Sequence, residues 1–257
     1  MNRPCVIVTR PRSQATAWVQ ALVEHGLQAQ SLPLIDIAPP PEPVAVQQAW
    51  QRLATLDFVM FVSMNAVAHF FALRPPDVRW PAGLRAGSTG PGTTAALRGC
   101  GVAQADIAQP ALGEPSESEA LWRQVADQPW GGRHVLVVRG EDGRNWLAQQ
   151  FAQAGAEVEF LVAYQRRPPL LDEAATQLLA AAAVDPSGHV WLFSSSEAVS
   201  HLRALDPQAD WSASRAVATH ARIAQAARAA GFTQVLVVEP GLEAVAACCA
   251  HLESFGC

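Results

Sequence analysis

The sequence is poor in several features that define large classes of protein. It has a single tyrosine, and it has no apolar run of about 18 residues of the kind that crosses a membrane. Its first residues, MNRPCVIVTRP, lack the long apolar segment of a secretory signal, so we expect a cytoplasmic protein. The five cysteines form no C-x-x-C pair, and we interpret them as small buried hydrophobes rather than as metal or redox ligands.

Familiar catalytic motifs are missing as well. The chain contains no H-E-x-x-H zinc motif, no G-x-S-x-G nucleophile turn and no Walker phosphate loop. The net charge is −5 and no basic face is evident, which argues against a general nucleic-acid surface. An anionic ligand is still compatible with this charge if local arginines or backbone N–H groups outweigh it.

The two halves of the chain share one plan. Val6 corresponds to Val135 and Arg10 to Arg139, each 129 positions later, and a glycine and a proline pair keep the same offset. DFVMFVSMNAVAHFFAL (57–73) matches HVWLFSSSEAVSHLRAL (189–205) at an offset of 132, and residues 84–102 match residues 214–232 at an offset of 130. Solenoid repeats have periods of about 20–50 residues, so the longer period indicates two related domains.

Short apolar runs alternate with amphipathic helical segments in both halves. Continuous rather than alternating apolarity is typical of a parallel sheet that is covered on both faces. Gly26 and Gly155 stand where glycines commonly terminate helices. We therefore predict an α/β fold with two similar doubly wound parallel-sheet domains. The predicted strands are 6–8, 58–62, 135–138, 190–193 and 235–238.

Proline pairs at 39–40 and 168–169 follow the first strand–helix–strand unit of each half. Proline interrupts helices and interior strands, so these segments are predicted to be extended linkers. The simplest division would cut the chain near residue 130. If both linkers instead cross between domains, domain 1 comprises residues 1–36 and 170–257, and domain 2 comprises residues 40–165. The linkers are then 36–40 and 164–169, and this is the division that we predict.

Polar turns follow three of the apolar segments. SMNA (63–66), SSEA (195–198) and GPGTTAA (90–96) each open a predicted helix, whose free N–H groups and side-chain oxygens can bind an anion. The alternative is ordinary helix capping. Ligands of open α/β sheets bind at the carboxyl ends of the strands, which is where these turns lie. The candidate binding residues are Ser63, Asn65, Thr93, Ser195 and Ser196.

Arginines form a second group of candidates. Arg10 and Arg139 follow equivalent strands, and Arg144 lies in the same turn as Arg139. A guanidinium can bind a carboxylate through two parallel hydrogen bonds. The alternative is a solvated turn residue or an ion pair with Glu141 or Asp142.

The remaining candidates are near predicted strand ends. Gly140 belongs to the same turn as Arg139, and His220 begins the THARIA segment that contains Arg222. Tyr164 stands where the second strand of the repeat leaves its domain. A phenol is protonated at neutral pH and can donate a proton to a departing group. The alternative is a linker tyrosine that packs by its ring and keeps its hydroxyl in water.

Together these motifs resemble the uroporphyrinogen-III synthase family over nearly the whole chain. The match follows the order and spacing of the family, and it includes the pair VRG-x-x-GR and Y-x-R. The resemblance implies two α/β domains joined by a two-stranded ladder, with the active site in the cleft between them. The segments that carry it are VTRP (8–11), FVSMNAV (61–67), GTTAAL (92–97), GEPSESEAL (113–121), VVRGEDGRNWL (137–147), VAYQRR (162–167), FSSSEAV (193–199) and THARIAQAARAAGF (219–232).

The resemblance also implies an activity. Family members are lyases of haem biosynthesis that cyclise hydroxymethylbilane, a polyanionic linear tetrapyrrole, to uroporphyrinogen III with inversion of ring D and loss of water. It implies no metal or organic cofactor, and it implies that Tyr164 assists departure of the hydroxyl. We expect a monomer that binds neither nucleic acid nor membranes.

A binding protein is the alternative to the enzyme. A cytosolic tetrapyrrole-binding or regulatory protein would keep the two domains and lose turnover. Solute-binding proteins also pair two α/β domains around a hinge, but those of the periplasm need a signal peptide.

Overall fold

The computed structural model describes residues 4–111 and 118–254, in which strands and helices alternate. In this part of the chain, no helix is both long and apolar enough to span a membrane. The strands are β1 (Cys5–Val8), β2 (Gln28–Ser31), β3 (Asp36–Ala38), β4 (Phe58–Phe61), β5 (Arg85–Ser88), β6 (Ile107–Ala108), β7 (His134–Gly140), β8 (Glu157–Arg167), β9 (His189–Phe193), β10 (Arg215–Ala218) and β11 (Gln234–Val237). The helices are α1 (Arg12–Glu24), α2 (Pro43–Gln51), α3 (Met64–Ala72), α4 (Pro91–Gly99), α5 (Ser118–Val125), α6 (Trp146–Gln153), α7 (Glu173–Val184), α8 (Ser196–Leu205), α9 (Ala221–Ala229) and α10 (Leu242–Ser254).

The chain divides into two compact units. Unit 1 consists of Met1–Asp36 and Arg167–Cys257, and unit 2 is the continuous segment Ile37–Arg166. Unit 1 contains a five-stranded sheet of order β11-β10-β9-β1-β2, and unit 2 contains a six-stranded sheet of order β3-β8-β7-β4-β5-β6. A cut near residue 130 would separate β4 from β7, although these strands pair in parallel. The sheets therefore exclude that simpler division.

Unit 1 is built around β1, which pairs in parallel with both β2 and β9. Val6 and Val8 are fully buried on one face, against the apolar sides of α1 and α10. Trp191 and Phe193 of β9 stack on the other face, with ring centroids 5.9 Å apart. Both faces of the sheet are thus covered, which explains why β1 is apolar at consecutive positions. The predicted α/β class with parallel sheets is confirmed.

Unit 2 repeats this arrangement with α2, α3 and α4 on one face and α5 and α6 on the other. Val59 and Phe61 belong to the first core, whereas Phe58 and Met60 belong to the second. The first core includes Trp50, whose ring stacks on Phe70 and whose Nε1 donates to the Phe70 carbonyl at 2.8 Å. Successive residues of one strand therefore enter different cores, as the alternation of a strand requires.

Two glycines end helices so that the next strand can begin. Gly26 has a φ of +81° after α1, and Gly155 has a φ of +92° after α6. In each case the glycine N–H bonds the carbonyl three residues earlier, and the next residue bonds the carbonyl five residues earlier. This pair of bonds is the Schellman motif, and it confirms the helix ends that the sequence predicts. β2 begins two residues after Gly26, and β8 begins two residues after Gly155.

Strands end immediately before the two proline pairs. β3 stops at Ala38, and β8 continues to Arg167, through most of the segment predicted as the second linker. Proline has no N–H to donate to a neighbouring strand, so a strand does not extend through it. Arg166 and Arg167 at the end of β8 are exposed.

Candidate functional site

The predicted site residues lie at the carboxyl-terminal edge of the sheet in their own unit. In unit 2, Ser63 follows β4, Thr93 lies in the first turn of α4 after β5, and Arg139 is the next-to-last residue of β7. In unit 1, Arg10 follows β1, and the segments at 195–196 and 220–222 follow β9 and β10. The strands that lead into these residues pair in parallel within each unit, so their carboxyl ends share one edge. The polar turns of each unit therefore lie close together at the carboxyl-terminal edge of its sheet.

Tyr164 is held by the first turn of α3. Ser63 is the N-cap of this helix, and its Oγ accepts the Ala66 N–H at 3.2 Å. The same hydroxyl donates to Tyr164 Oη at 3.2 Å. The Tyr164 side chain is only 2% exposed and belongs to the core beneath α2, α3 and α4. The phenol thus has a protein partner, whereas the linker alternative predicts a hydroxyl in water.

His69 is the aromatic neighbour of the phenol. Its ring stacks on Tyr164 with a centroid distance of 6.0 Å and an interplanar angle of 27°. Burial lowers the pKa of His69, because the protonated imidazole loses hydration there. No local pattern singles out His69, since it lies among the apolar residues of a helix. Only the tertiary structure brings it to the tyrosine.

Arg139 is bonded to its own turn. Its Nε donates to the Gly140 carbonyl at 3.1 Å, its Nη2 donates to the Gly143 carbonyl at 3.0 Å, and its Nη1 donates to Asn145 Oδ1. The residue is 9% exposed, and its guanidinium lies 5.2 Å from the ring centroid of Phe160. A guanidinium has five N–H groups, so these bonds leave two for any ligand. Its partners are Asn145 and main-chain oxygens rather than the acidic residues of the turn.

Arg144 is the exposed arginine of the same turn. Its side chain is 71% exposed, and its Nη1 lies 3.9 Å from Glu119 Oε1. An exposed ion pair at this distance contributes little to stability, so the guanidinium can exchange Glu119 for a bound carboxylate. The turn therefore contains one structural arginine and one that a ligand can reach.

The turn before α4 is fixed by buried hydroxyls. Ser88 Oγ donates to the Gly90 carbonyl at 2.8 Å, and Thr94 Oγ1 donates to Ser88 Oγ at 2.9 Å. Thr93, the predicted binding residue, is 5% exposed in the first turn of the helix. Asn65 is half-buried in the first turn of α3. The sequence identified this turn but not the Ser88–Thr94 pair that supports it.

Unit 1 has equivalent turns. Ser195 caps α8, and its Oγ accepts the Glu197 N–H at 3.2 Å, which is the capping arrangement considered as the alternative for this turn. Ser196 Oγ is buried and has no hydrogen-bond partner among the described residues. His220 occupies the N-cap position of α9 without a side-chain cap bond, and both His220 and Arg222 are exposed. The side chains of His220 and Arg222 are therefore accessible at the carboxyl edge of unit 1.

Arg10 differs from its counterpart Arg139. Its Nη1 donates to Gln14 Oε1 at 3.3 Å, and its guanidinium lies 4.0 Å from the ring centroid of Trp18. Its Nε is buried and has no partner in the described part of the chain. Burial lowers the pKa of Arg10, because the charged form is desolvated. A bound carboxylate would offset both the missing hydrogen bond and the desolvation.

We found no metal centre in residues 4–111 and 118–254. No group of three or more histidine, cysteine, aspartate and glutamate side chains in these ranges is placed to hold a metal ion. Burial raises the pKa of the Cys5, Cys100 and Cys248 thiols, because the thiolate is desolvated there. The first residues of GEPSESEAL, up to residue 117, lie outside the described residues.

The double role of Ser63 leads to a prediction. Replacing a serine N-cap with alanine costs about 1 kcal/mol, and Ser63→Ala also removes the bond to Tyr164. We expect Ser63→Ala to lower the free energy of unfolding by about 2 kcal/mol, and Ser195→Ala, which removes only a cap, by about 1 kcal/mol. Urea titration followed by circular dichroism measures both values. Equal losses in the two variants would mean that the bond from Ser63 to Tyr164 contributes nothing.

The fold and the site define an α/β protein with two parallel sheets, each presenting helix N-termini, hydroxyls and arginines at one edge. Comparison with known families agrees with this class. The family model described as uroporphyrinogen-III synthase HemD matches residues 16–246. This chain therefore belongs to the uroporphyrinogen-III synthase family.

Individual relatives are similar over part of the chain. The uroporphyrinogen-III synthase of Salmonella typhimurium LT2 is 35% identical over 165 residues, which is 63% of this chain and 64% of that protein. The enzyme of the same name from Proteus mirabilis is 30% identical over 162 residues, or 63% of this chain and 79% of that protein. The aligned part of this chain thus spans less than two thirds of the Salmonella relative.

Solved structures match over almost the full length. A mutant uroporphyrinogen III synthase from the extreme thermophile Thermus thermophilus superposes with a TM-score of 0.61 at 16% identity, covering 98% of this chain and 99% of that one. The uroporphyrinogen-III synthetase of Helicobacter pylori 26695 has a TM-score of 0.61 at 16% identity, covering 99% of both chains. At this identity the likeness shows that the fold is shared.

Proposed function

We propose that this protein is a uroporphyrinogen-III synthase that converts hydroxymethylbilane to uroporphyrinogen III with inversion of ring D and loss of water. The observation that carries the proposal is the family match over residues 16–246, which includes segments of both units. The substrate is a flexible polyanion with a hydroxymethyl leaving group. A catalyst must hold its carboxylates, fold it towards a ring and assist departure of the hydroxyl.

The edge of each sheet offers groups that suit carboxylates. The N-termini of α3, α4, α8 and α9 present the N–H groups of their first turns at these edges, and such groups favour anions. Arg144 is exposed in the turn after β7, whereas Arg10 and Ser196 carry buried donors without partners among the described residues. We propose that carboxylates of the substrate bind these groups. Arg139 supports the turn and contributes at most its two remaining N–H groups.

Tyr164 is the proposed acid for the leaving hydroxyl. We propose that Ser63 Oγ, 3.2 Å from Tyr164 Oη, donates the bond between the two hydroxyls, which leaves the phenolic proton for the leaving group. Proton donation turns the leaving hydroxide into water and yields an azafulvene cation. The substituted carbon of ring D then attacks this cation, and the resulting spiro intermediate fragments and recloses to give the inverted ring.

A product analysis separates the enzyme from a binding protein without turnover. The purified protein is incubated with hydroxymethylbilane, and the oxidised uroporphyrin isomers are separated and compared with those of a reaction without protein. We expect isomer III in excess, because the uncatalysed cyclisation gives isomer I without inversion. Isomer I alone, at the rate of the reaction without protein, would favour the binding protein and contradict the proposed activity.

A further inference from the structure

Strand β8 contains a bulge next to Tyr164. Its residues pair one to one with β7 as far as Arg139 and Val162, but the next residue of β7, Gly140, pairs with Tyr164. Ala163 is therefore an extra residue without its own partner in β7. Such a bulge bends the strand locally and changes the direction in which the following side chain points.

The bulge determines which core receives the phenol. In a regular strand, alternate residues face the same side, so Tyr164 would share a face with Val162 and not with Ala163. In the structure, Leu161, Ala163 and Tyr164 all belong to the core beneath α2, α3 and α4. The extra residue thus places the phenol on the side of the sheet where Ser63 caps α3.

Gly140 leaves the space that this phenol occupies. A Cβ on Gly140 would lie 3.0 Å from Tyr164 Cζ, 3.1 Å from Cε2 and 3.3 Å from Oη. Gly140 is not among the glycines with positive φ, so its backbone conformation does not itself require glycine. The absence of a side chain at this position is therefore explained by the phenol opposite it.

We propose that Gly140, together with the bulge at Ala163, is a positioning element for the catalytic phenol of Tyr164. The inference rests on the proposed function, because it assigns Gly140 a role in the reaction through Tyr164 rather than through contact with the substrate. An alanine would push the ring by a few tenths of an ångström away from its place beside Ser63. The hydroxyl would then no longer be aligned with the leaving group.

The kinetic test is a double-mutant comparison. A displacement of about 1 Å can cost a hundredfold in rate, so Gly140→Ala should lower kcat by roughly three- to tenfold with KM nearly unchanged. In a Tyr164→Phe background the same substitution should change kcat less than about twofold, because the hydroxyl that it displaces is already gone. Gly131→Ala is the matched control, since its Cβ would have no neighbour within 4 Å. An equal loss of kcat in both backgrounds would overturn the proposal.

A spectroscopic test does not depend on turnover. Tyr164 is the one tyrosine of the chain, so protein labelled with ¹³C at the tyrosine Cζ gives a single resonance. We expect this resonance to shift in Gly140→Ala and Ser63→Ala and to stay in place in Gly131→Ala. A shift in a protein that produces no isomer III would contradict the proposed function but support the positioning of the phenol. An unshifted resonance in Gly140→Ala would overturn the positioning role, even in an active enzyme.

Discussion

Replacing Tyr164 with phenylalanine should lower kcat by about ten- to a hundredfold and leave KM nearly unchanged. General-acid assistance contributes typically about 10²–10⁴-fold, and a smaller effect is expected here because hydroxymethylbilane also cyclises without an enzyme. The ring of phenylalanine would fill the same buried space beside Gly140 and His69. Binding of the carboxylates would be unaffected, since no carboxylate-binding group is removed. Initial rates of isomer III formation at several substrate concentrations measure both constants.

The same variant should also lose some stability. The hydroxyl of Ser63 would lose its acceptor in a buried site, at a cost of about 1 kcal/mol. Thermal unfolding followed by circular dichroism provides this value and shows whether a loss of activity reflects unfolding. Full activity of Tyr164→Phe would exclude the phenol from the mechanism.

Arg139→Ala and Arg144→Ala should differ in stability although both raise KM. Arg139 makes three hydrogen bonds within its turn, and a bond from a charged group is worth about 1.5–3 kcal/mol. We expect Arg139→Ala to lower the free energy of unfolding by at least about 2 kcal/mol and to raise KM by about ten- to a hundredfold, because the whole turn is released. Arg144→Ala should raise KM by about tenfold and change stability by less than about 0.5 kcal/mol.

Arg133 provides the control for both arginines. It precedes β7 at the opposite edge of the sheet, where its Nη1 lies 4.0 Å from Asp57 Oδ1 and its side chain is 40% exposed. Arg133→Ala should leave KM unchanged. Steady-state kinetics and urea denaturation of the three variants test these expectations. An unchanged KM in Arg144→Ala would remove this residue from substrate binding, and unchanged stability in Arg139→Ala would show that its bonds are not needed for the turn.

Local patterns were sufficient to predict much of the fold. β1 and β4 are continuous apolar runs, and the structure places such runs inside sheets that are covered on both faces. The segments at 63–66 and 195–198 were predicted to open helices, and Ser63 and Ser195 are the N-caps of α3 and α8. Each of these predictions depends on only a few neighbouring residues, so it requires no knowledge of tertiary contacts.

The details of the site depend on contacts that no local pattern encodes. The position of Tyr164 follows from one extra residue in the pairing of β8 with β7, and a one-residue change of register reverses the face of a side chain. A glycine within a strand is a weak signal for a bulge, and Gly140 lies in β7 opposite the bulge of β8. The guanidinium of Arg139 bonds Asn145 because the turn folds back onto it, whereas the sequence equally allowed the nearby acids.

The split construction of unit 1 has a consequence during synthesis on the ribosome. β2, one neighbour of β1 in the sheet, is synthesised soon after β1. The other neighbour, β9, begins at His189 and is synthesised only after all of unit 2. At about 5–20 residues per second, translation reaches β9 roughly 10–40 s after β1. The nascent chain thus carries an apolar central strand with one open edge throughout that interval, and unit 2 receives its last strand, β8, before β9 is made. Unit 2 is therefore completed before unit 1, although the first strand to be synthesised, β1, belongs to unit 1.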